Sequence, residues 1–178
     1  MAALTQSDRD RLGPLIEPFG RSKKDGDRRR LRDGEVERDE FEKSIHDAIN
    51  NGTPPAAALV TTEEVETHLK VAGRFKEKAF LWVLDETSIK IIREKTRNVR
   101  RTHDPDCVCH TNLTGGSKAY LGGEIFFCED GFVYVNHFSD RYGAPSNEQW
   151  MHAKQYFKRV GYQNLVDILD LLSTTGSQ

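Results

Sequence analysis

The stretch GEIFFCEDGFVYVNHF, residues 123–138, decides the fold of this chain. Two runs rich in aromatic and β-branched residues flank the dipeptide Asp130-Gly131. Such runs are typical of β-strands, and Asp-Gly between them favours a tight two-residue hairpin turn. The stretch therefore predicts an antiparallel strand pair, and we expect this pair to lie at the centre of a sheet.

The predicted turn also sets the pairing of side chains across the hairpin. A two-residue turn pairs Glu129 with Phe132, and counting outward places Glu124 opposite His137. One face then carries Phe126, Cys128, Val133 and Val135, and the other carries Ile125, Phe127, Tyr134, Asn136 and Phe138. Because apolar side chains occupy both faces, we expect both to be covered.

The neighbouring segments add strands and helices to this pair. AFLWVLD (79–85) and SIKIIRE (88–94) predict a second hairpin, and CVCHTNL (107–113) predicts a further strand. Apolar residues at helical spacing predict a helix over 35–50, and TTEEVETHLKVAGRF (61–75) begins with a capping-box pattern. SNEQWMHAKQYFKRVG (146–161) has the same pattern, with Gly161 as its stop, and NLVDILDLL (164–172) predicts a last short helix.

These elements predict one α+β domain over residues 35–178. We expect helices over 35–78 to pack on a mainly antiparallel sheet of about five strands over 79–142, covered by C-terminal helices over 146–173. Residues 1–34 are interpreted as a charged, partly mobile N-terminal segment, since 20–40 is almost wholly charged. A basic arm for nucleic acid is the alternative interpretation of that segment.

Composition limits the classes of function. The chain has 178 residues, 37% of them hydrophobic, which is enough for one core. A net charge of −2 gives no overall attraction to nucleic acid or membrane. The longest apolar run, AFLWVL (79–84), is too short to cross a bilayer, and the N-terminus lacks the apolar region of a signal peptide. We expect a cytoplasmic protein, or one delivered into the cytoplasm of a target cell, with no membrane partner.

The cysteines are the first chemical candidates. Cys107, Cys109 and His110, with His103 or Cys128 nearby, have the ligand chemistry of a zinc site. No second Cys/His pair stands at zinc-finger spacing, and Cys-x-Cys on a strand places both thiols on one face, where cysteine commonly packs as a small apolar residue. A nucleophilic Cys109 is the other alternative, but strand neighbours point to opposite faces, so His110 is not its partner. We therefore expect no metal and no cofactor.

The polar residues at the strand ends are stronger candidates. The expected pairing makes Glu124 and His137 cross-strand neighbours at the end of an apolar face, which makes them candidates for a functional site, with a surface ion pair at the rim of the sheet as the alternative. Ser139, Arg141 and Tyr142 follow the last strand and precede a helix N-terminus, where an anion is favoured. The GGSKAYLGG run (115–123) does not have P-loop spacing. Its glycines are expected to allow positive φ angles and a close backbone approach, to a ligand or to another strand.

The region from His110 to Trp150 resembles a known pattern. HTNLTGGSKAYLGG, GGE, EDG, SDRYG and PSNE follow the order His-Ser/Thr-x-Leu-x-Gly-Gly, Ala-Gly-Glu/Arg, Asp-Gly, Ser-Gly-His/Arg-Tyr, Pro-Ser/Thr-x-Glu. The pattern occurs in C-terminal regions of plant IQ-motif calmodulin-binding proteins and in bacterial polymorphic-toxin and effector-like domains. The resemblance spans roughly 79–160, about half the chain. It singles out His110, Thr111, Gly115, Gly116, Gly123, Glu124, Ser139, Arg141 and Tyr142.

Two departures limit the match. Asp140 replaces the usual glycine, and Ala144 adds one residue before the proline. No IQ motif is evident, so the resemblance does not imply calmodulin binding. It implies that the matching residues form one site, and the toxin domains imply a cognate immunity protein as a partner.

Three hypotheses of function follow. The first is a toxin- or effector-type, metal-independent RNase-like enzyme, with His110 and Glu124 as acid and base, Arg141 as phosphate clamp, and Tyr142 and Thr111 as positioning groups. The binding residues would be Thr111, Gly115, Gly116, Gly123, His137 and Ser139, with KTRNVRR (95–101) holding the RNA backbone.

The second is an ADP-ribosyltransferase or NAD glycohydrolase, with NAD as substrate and a target protein. Here His110 and Thr111 hold the ribose, Tyr142 stacks on nicotinamide and Glu124 stabilises the oxocarbenium. The third is a non-catalytic ligand- or protein-binding module.

Overall fold

A computed structural model describes residues 3–18, 59–70, 79–93, 110–139, 141–143 and 145–170. The helix predicted over 35–50, the charged segment 20–40, the basic stretch 95–101 and the pair Cys107 and Cys109 lie outside these ranges. The described residues form helices and a mixed sheet, so the predicted α+β class is confirmed. None of the helices in these ranges is long and apolar enough to cross a membrane.

The helices are α1 (Gln6–Leu12), α2 (Thr62–Lys70), α3 (His110–Thr114) and α4 (Asn147–Arg159). The strands are β1 (Leu59–Val60), β2 (Phe80–Leu84), β3 (Ile89–Arg93), β4 (Leu121–Cys128), β5 (Val133–Val135) and β6 (Leu165–Asp167). Both predicted capping boxes form. The Thr61 hydroxyl accepts from the Glu64 amide in one, and the Ser146 hydroxyl accepts from the Gln149 amide in the other.

Strand β4 is the centre of the sheet. The strand order is β3-β2-β4-β5-β6, and β1 pairs with the end of β4. The pairs β2–β3, β2–β4 and β4–β5 are antiparallel, whereas β1 and β6 each add a short parallel pair. The mainly antiparallel sheet is therefore present, with six strands and two short parallel additions.

The hairpin register differs from the predicted one by one residue. The amide of Cys128 donates to the carbonyl oxygen of Phe132, so three residues form the loop instead of two. Gly131 takes a φ of +82°, which a three-residue loop with a left-handed third position requires. The predicted pairing of Glu124 with His137 is therefore wrong, and Glu124 lies opposite Asn136.

This shift also corrects the expected faces of the hairpin. Phe126, Cys128 and Tyr134 pack together with Val60 and Val65 on one face. The other face packs under α4 and α1. It carries Trp82, Leu84, Leu121, Ile125, Phe127 and Val135, and Trp150, Ala153 and Phe157 of α4 cover these side chains. The expectation that both faces are covered holds, but Val133 and Val135 lie on the side of Phe127 and not of Phe126.

Two further segments differ from their predicted states. Residues 110–114 form a helix where a strand was predicted. Gly115 and Gly116 end this helix, and His110 and Leu113, which are three residues apart, both face the sheet. Leu165–Asp167 was predicted as helix and instead forms β6, which gives β5 a parallel neighbour. Residues 168–170 are helical.

The N-terminal residues 3–18 belong to the fold. A capping box of Thr5 and Asp8 begins α1, and α1 packs on α4. The carboxylate of Asp8 is 2% exposed and accepts from Arg159 and His152 of α4. These bonds outweigh the effect of burial, which alone would raise the pKa of Asp8, and they hold that pKa well below its usual range. After α1, Ile16 forms an isolated antiparallel β-bridge with Ala119. Ile16 also packs against the apolar cluster of Val83, Ala119 and Tyr142.

Candidate functional site

His110 begins α3 and lies against the centre of the sheet. Its Nε2 atom is 2.9 Å from the carbonyl oxygen of Gly123. A carbonyl oxygen only accepts a hydrogen bond, so Nε2 carries the hydrogen and donates it. Nδ1 is therefore the ring nitrogen whose protonation can change. The residue is 7% exposed, so the sheet fixes the direction of the ring.

Gly122 makes room for this imidazole. A Cβ at Gly122 would lie 3.1 Å from Cδ2 of His110 and 3.0 Å from the carbonyl oxygen of Trp82. Side chains alternate between the two faces of a strand, so residues 122 and 124 share one face of β4. The structure thus places the ring of His110 on the same face as the side chain of Glu124.

Glu124 lies between two apolar clusters on that face. Toward α3, Val83, Ala119 and Tyr142 form one cluster. Toward α2, Phe126 and its neighbours form the other. Glu124 is the half-buried polar position on β4 between them. A carboxylate at such a position is shielded from water on both sides, which makes its hydrogen bonds important for its charge.

Asn136 is the residue that meets Glu124 across the hairpin. Its Nδ2 donates to Oε2 of Glu124 at 2.9 Å. Its Oδ1 accepts from the amides of Glu124 and Phe138, both at 2.9 Å. Its carbonyl oxygen accepts from Nε1 of Trp82 at 3.0 Å. Asn136 is fully buried, and every polar atom of its side chain has a partner.

Gly123 allows this approach of the two strands. A Cβ at Gly123 would lie 2.0 Å from the carbonyl oxygen of Asn136 and 2.9 Å from Cα of His137. No side chain fits there, so the glycine is required by the backbone of the neighbouring segment. The sequence left open whether the approach was to a ligand or to a strand, and at Gly123 it is to the segment that follows β5.

His137 does not join Glu124. Its ring packs edge-on against Trp150, with 5.1 Å between the ring centroids, and Trp150 belongs to the core under α4. That core lies on the face opposite to Glu124, so the predicted Glu124–His137 neighbour pair is wrong as a consequence of the register. The Nδ1 atom of His137 is buried and has no hydrogen-bond partner within the described part of the chain.

Ser139, Arg141 and Tyr142 form a turn at the end of the hairpin. The Ser139 hydroxyl accepts from the amides of Arg141 and Tyr142, at 3.2 and 3.1 Å. The Tyr142 hydroxyl donates to the carbonyl oxygen of Ser117 at 2.8 Å and also bonds the Thr114 hydroxyl. Tyr142 is 1% exposed and Arg141 is 9% exposed. The turn therefore ties the loop after β5 to α3 and packs against Val83, next to Gly122.

We expect Tyr142→Phe to lower the free energy of unfolding by about 1–2 kcal/mol, because the part-buried hydrogen bonds of its hydroxyl to the Ser117 carbonyl oxygen and the Thr114 hydroxyl are lost. Urea denaturation followed by circular dichroism measures this. Tyr134→Phe is the matched control, since within the described part of the chain the Tyr134 hydroxyl bonds one other side chain, the hydroxyl of Thr62. An equal or smaller loss in Tyr142→Phe would contradict a structural role for its hydroxyl.

The first glycine pair has a conformational role. Gly115 and Gly116 follow α3 with φ of +61° and +79°, and nothing lies within 4 Å of a Cβ at either position. The amide of Gly116 donates to the carbonyl oxygen of Thr111, which closes the helix. Thr111 is 8% exposed and lies beside His110 in α3. The binding roles expected for these three residues stay predictions.

Metal ligands do not gather in the described ranges, where no group of three His, Cys, Asp or Glu side chains could hold an ion. Cys128 is buried among the apolar residues beneath α2. Burial, assisted by the nearby carboxylates of Asp130, Glu64 and Glu129, raises the pKa of its thiol to about 12. Cys128 is therefore a neutral thiol near pH 7, which agrees with its interpretation as a packing residue.

The hydrogen bonds bring His110, Gly123, Glu124 and Asn136 into one cluster, which we call the β4 site. Tyr142 and Ser139 support its α3 side, and His137 lies on the other face. Asn136 was missed by the sequence interpretation, which assigned it to an apolar face. A polar residue directly after a strand was the available signal. Comparisons with protein-family models, with curated proteins and with solved structures found no significant match to this chain.

Proposed function

We propose that this chain is an RNase-like enzyme that cleaves phosphodiesters at the β4 site. The observation that carries the proposal is the bond from His110 to the carbonyl oxygen of Gly123, the residue before Glu124. It holds an imidazole and a carboxylate on one face of β4. Such a pair can remove one proton and supply another, which is what cleavage at a ribose 2′-hydroxyl requires.

The contacts suggest which group has which role. Asn136 donates to the carboxylate of Glu124, and a donor stabilises the ionised form. Glu124 is therefore assigned as the base that takes the 2′-hydroxyl proton. His110 donates through Nε2 to a carbonyl, so its Nδ1 is assigned as the site that delivers a proton to the leaving 5′-oxygen. The 2′-oxygen bonds to phosphorus as the 5′-oxygen leaves, which gives a 2′,3′-cyclic phosphate and a new 5′-hydroxyl.

Arg141 is assigned to the charge that develops on phosphate. A guanidinium stabilises such charge well where water is excluded. With 9% of the residue exposed, only its exposed part can reach a substrate. RNA is thus the proposed partner, together with the immunity protein that the resemblance implies, and the cytoplasm of the producing or a target cell is the proposed place of action.

The NAD hypothesis has less support from the geometry. Stacking on nicotinamide requires an open ring face, whereas Tyr142 is 1% exposed and its hydroxyl is bonded to Ser117 and Thr114. No described contact favours this second function over the first. It is kept as an arm of the experiment.

The test uses the full chain with a labelled RNA and with the same RNA carrying 2′-O-methyl groups, both in the presence of EDTA. We expect cleavage of the first RNA only, with cyclic phosphate ends. His110→Ala and Glu124→Gln should each lower the rate by about 10²–10⁴-fold. Glu129→Gln is the matched control, because Glu129 is exposed at the hairpin loop and should leave the rate unchanged.

Three outcomes would contradict the proposal. They are cleavage of the 2′-O-methyl RNA, equal rates in the two variants and the wild type, and no cleavage by the folded wild type. A parallel incubation with NAD measures nicotinamide release. If release occurs and is lost in both variants, the NAD hypothesis replaces this one. If neither reaction occurs and all proteins are folded, the binding module replaces both.

A further inference from the structure

We propose that Asn136 is a positioning residue of the β4 site, whose buried amide fixes one carboxylate oxygen of Glu124 and keeps this carboxylate ionised. The inference deepens the proposed function and rests on it for its catalytic meaning. The contact itself is tested without any activity.

The backbone determines the direction of the Asn136 side-chain amide. Oδ1 of Asn136 accepts from two backbone amides, those of Glu124 and Phe138. Backbone amides only donate, so the oxygen must face them and the nitrogen must face away. The nitrogen is thereby directed at Oε2 of Glu124, 2.9 Å away. The chain thus presents a donor to the carboxylate in a direction that the backbone determines.

The position of Asn136 is held by the backbone and by the core. The amide of Asn136 donates to the carbonyl oxygen of Glu124, and its own carbonyl oxygen accepts from the Trp82 indole. Trp82 stacks on Trp150, with 6.0 Å between centroids and 17° between planes. Gly123 lets this segment lie against β4 without a Cβ between them. Backbone, indole and core therefore all restrain the position from which Asn136 acts.

The Asn136 amide also affects the charge of the Glu124 carboxyl group. A fully buried amide that donates to a half-buried carboxylate favours the ionised form of that carboxylate over the protonated form. The base assigned above must be ionised to take a proton. Asn136 therefore supports both of the properties that the base needs, a fixed direction of the Glu124 carboxylate and its ionised form.

Asn136→Asp tests this with the smallest change of shape. The aspartate retains an oxygen for the two backbone amides, but it turns an oxygen toward Oε2 of Glu124 in place of the donor. We expect the titration midpoint of Glu124, followed by NMR of a ¹³C-labelled carboxyl group, to move upward by about one pH unit or more. Asn164→Asp adds the same charge at an exposed position and should leave the midpoint unchanged.

The activity readout separates positioning from mere folding. We expect the acidic limb of the pH–rate profile of RNA cleavage to move upward with the Glu124 midpoint in Asn136→Asp, while the Asn164→Asp profile stays in place. A purely structural role would lower the rate at every pH without moving the limb. If the Glu124 midpoint moves but the wild type cleaves no RNA, the proposed function fails and the contact between Asn136 and Glu124 stands.

Two measurements remain decisive if Asn136→Asp does not fold. In the wild type, the Nδ2 hydrogens of Asn136 should shift in NMR spectra with the same midpoint as the Glu124 carboxyl group, and this shift should vanish in Glu124→Gln. The double variant Glu124→Gln/Asn136→Asp restores a donor opposite an acceptor and should therefore fold where Asn136→Asp does not. Nδ2 signals that stay constant through the Glu124 titration would overturn the inference. So would a Glu124 titration midpoint that is the same in wild type and in folded Asn136→Asp.

Discussion

Gly123→Ala is expected to lower the free energy of unfolding by about 3 kcal/mol or more, the upper end of overpacking effects. The added methyl group would lie 2.0 Å from the carbonyl oxygen of Asn136, and backbone cannot rotate away as a flexible side chain does. The segment after β5 must move, and its bonds to Glu124 and Trp82 are then lost. Urea denaturation monitored by circular dichroism measures the change.

Gly116→Ala is the matched control for this substitution. Gly116 has a φ of +79° and open space around a Cβ, so alanine there costs only backbone strain, about 1–2 kcal/mol. If Gly123→Ala is no more destabilising than Gly116→Ala, the close approach of Asn136 to β4 is not needed for the fold. The comparison also separates the two glycine pairs that look alike in the sequence.

Asp8→Asn is expected to lower the free energy of unfolding by about 2–3 kcal/mol near neutral pH. The buried carboxylate accepts from Arg159, His152 and the Thr5 cap, and the amide replaces a charge by a group that repels some of these donors. Asp10→Asn is the control, because Asp10 is exposed and its side chain bonds, among the described residues, that of Gln6 in the same helix. We expect a change within about 0.5 kcal/mol there.

The pH dependence of this effect has a definite sign. The pKa of Asp8 in the folded protein lies below the unfolded value of about 3.9, so its stabilisation is fully present above that value. It declines as the pH falls toward the folded pKa. The difference between wild type and Asp8→Asn should therefore be largest from about pH 5 upward and shrink below about pH 4. Denaturation at a series of pH values measures it, and a difference that stays constant down to pH 2.5 would contradict the ion pair as its source.

Local signals predicted most of the elements but not how they meet. The strand runs within 79–94 and 123–138 and both capping boxes depend on a few adjacent residues, and these predictions are confirmed. The hairpin at Asp130-Gly131 also forms, but its predicted two-residue length is wrong. The register depends on one residue more or less in the loop, because Asp-Gly suits both a two-residue turn and the first part of a three-residue loop. That single step moved the partner of Glu124 from His137 to Asn136.

The α3 and β6 segments show a second limit of the sequence. HTNLT contains β-branched threonines and follows Val108 and Cys109, so its local preference favours a strand. Contacts of His110 and Leu113 with the sheet nevertheless stabilise a helical turn. The alternation in Leu165–Asp167 is too short to distinguish a strand from the start of a helix. Its state depends on pairing with β5, which no window of the sequence contains.

The candidate site was predictable in its residue types and only in part in its arrangement. His110, Gly123 and Glu124 stood in one quoted pattern, and the structure places them in contact or on one face. Asn136 was assigned to an apolar face, and its bonds to two backbone amides exist only once the register is known. Asp8 was within a segment interpreted as charged and partly mobile, although Thr5-x-x-Asp8 is a capping-box spacing.

The two tryptophans of the chain form one stacked pair, Trp82 on Trp150. The indole of Trp82 donates to the carbonyl oxygens of Glu124 and Asn136, and that of Trp150 donates to the carboxylate of Asp167. Tryptophan emission from this protein, excited where tyrosine does not absorb, therefore comes from one pair of indoles, hydrogen-bonded to the β4 site on one side and to β6 on the other. Tryptophan fluorescence therefore reports on the contacts between the β4 site, α4 and β6 without an added dye or label.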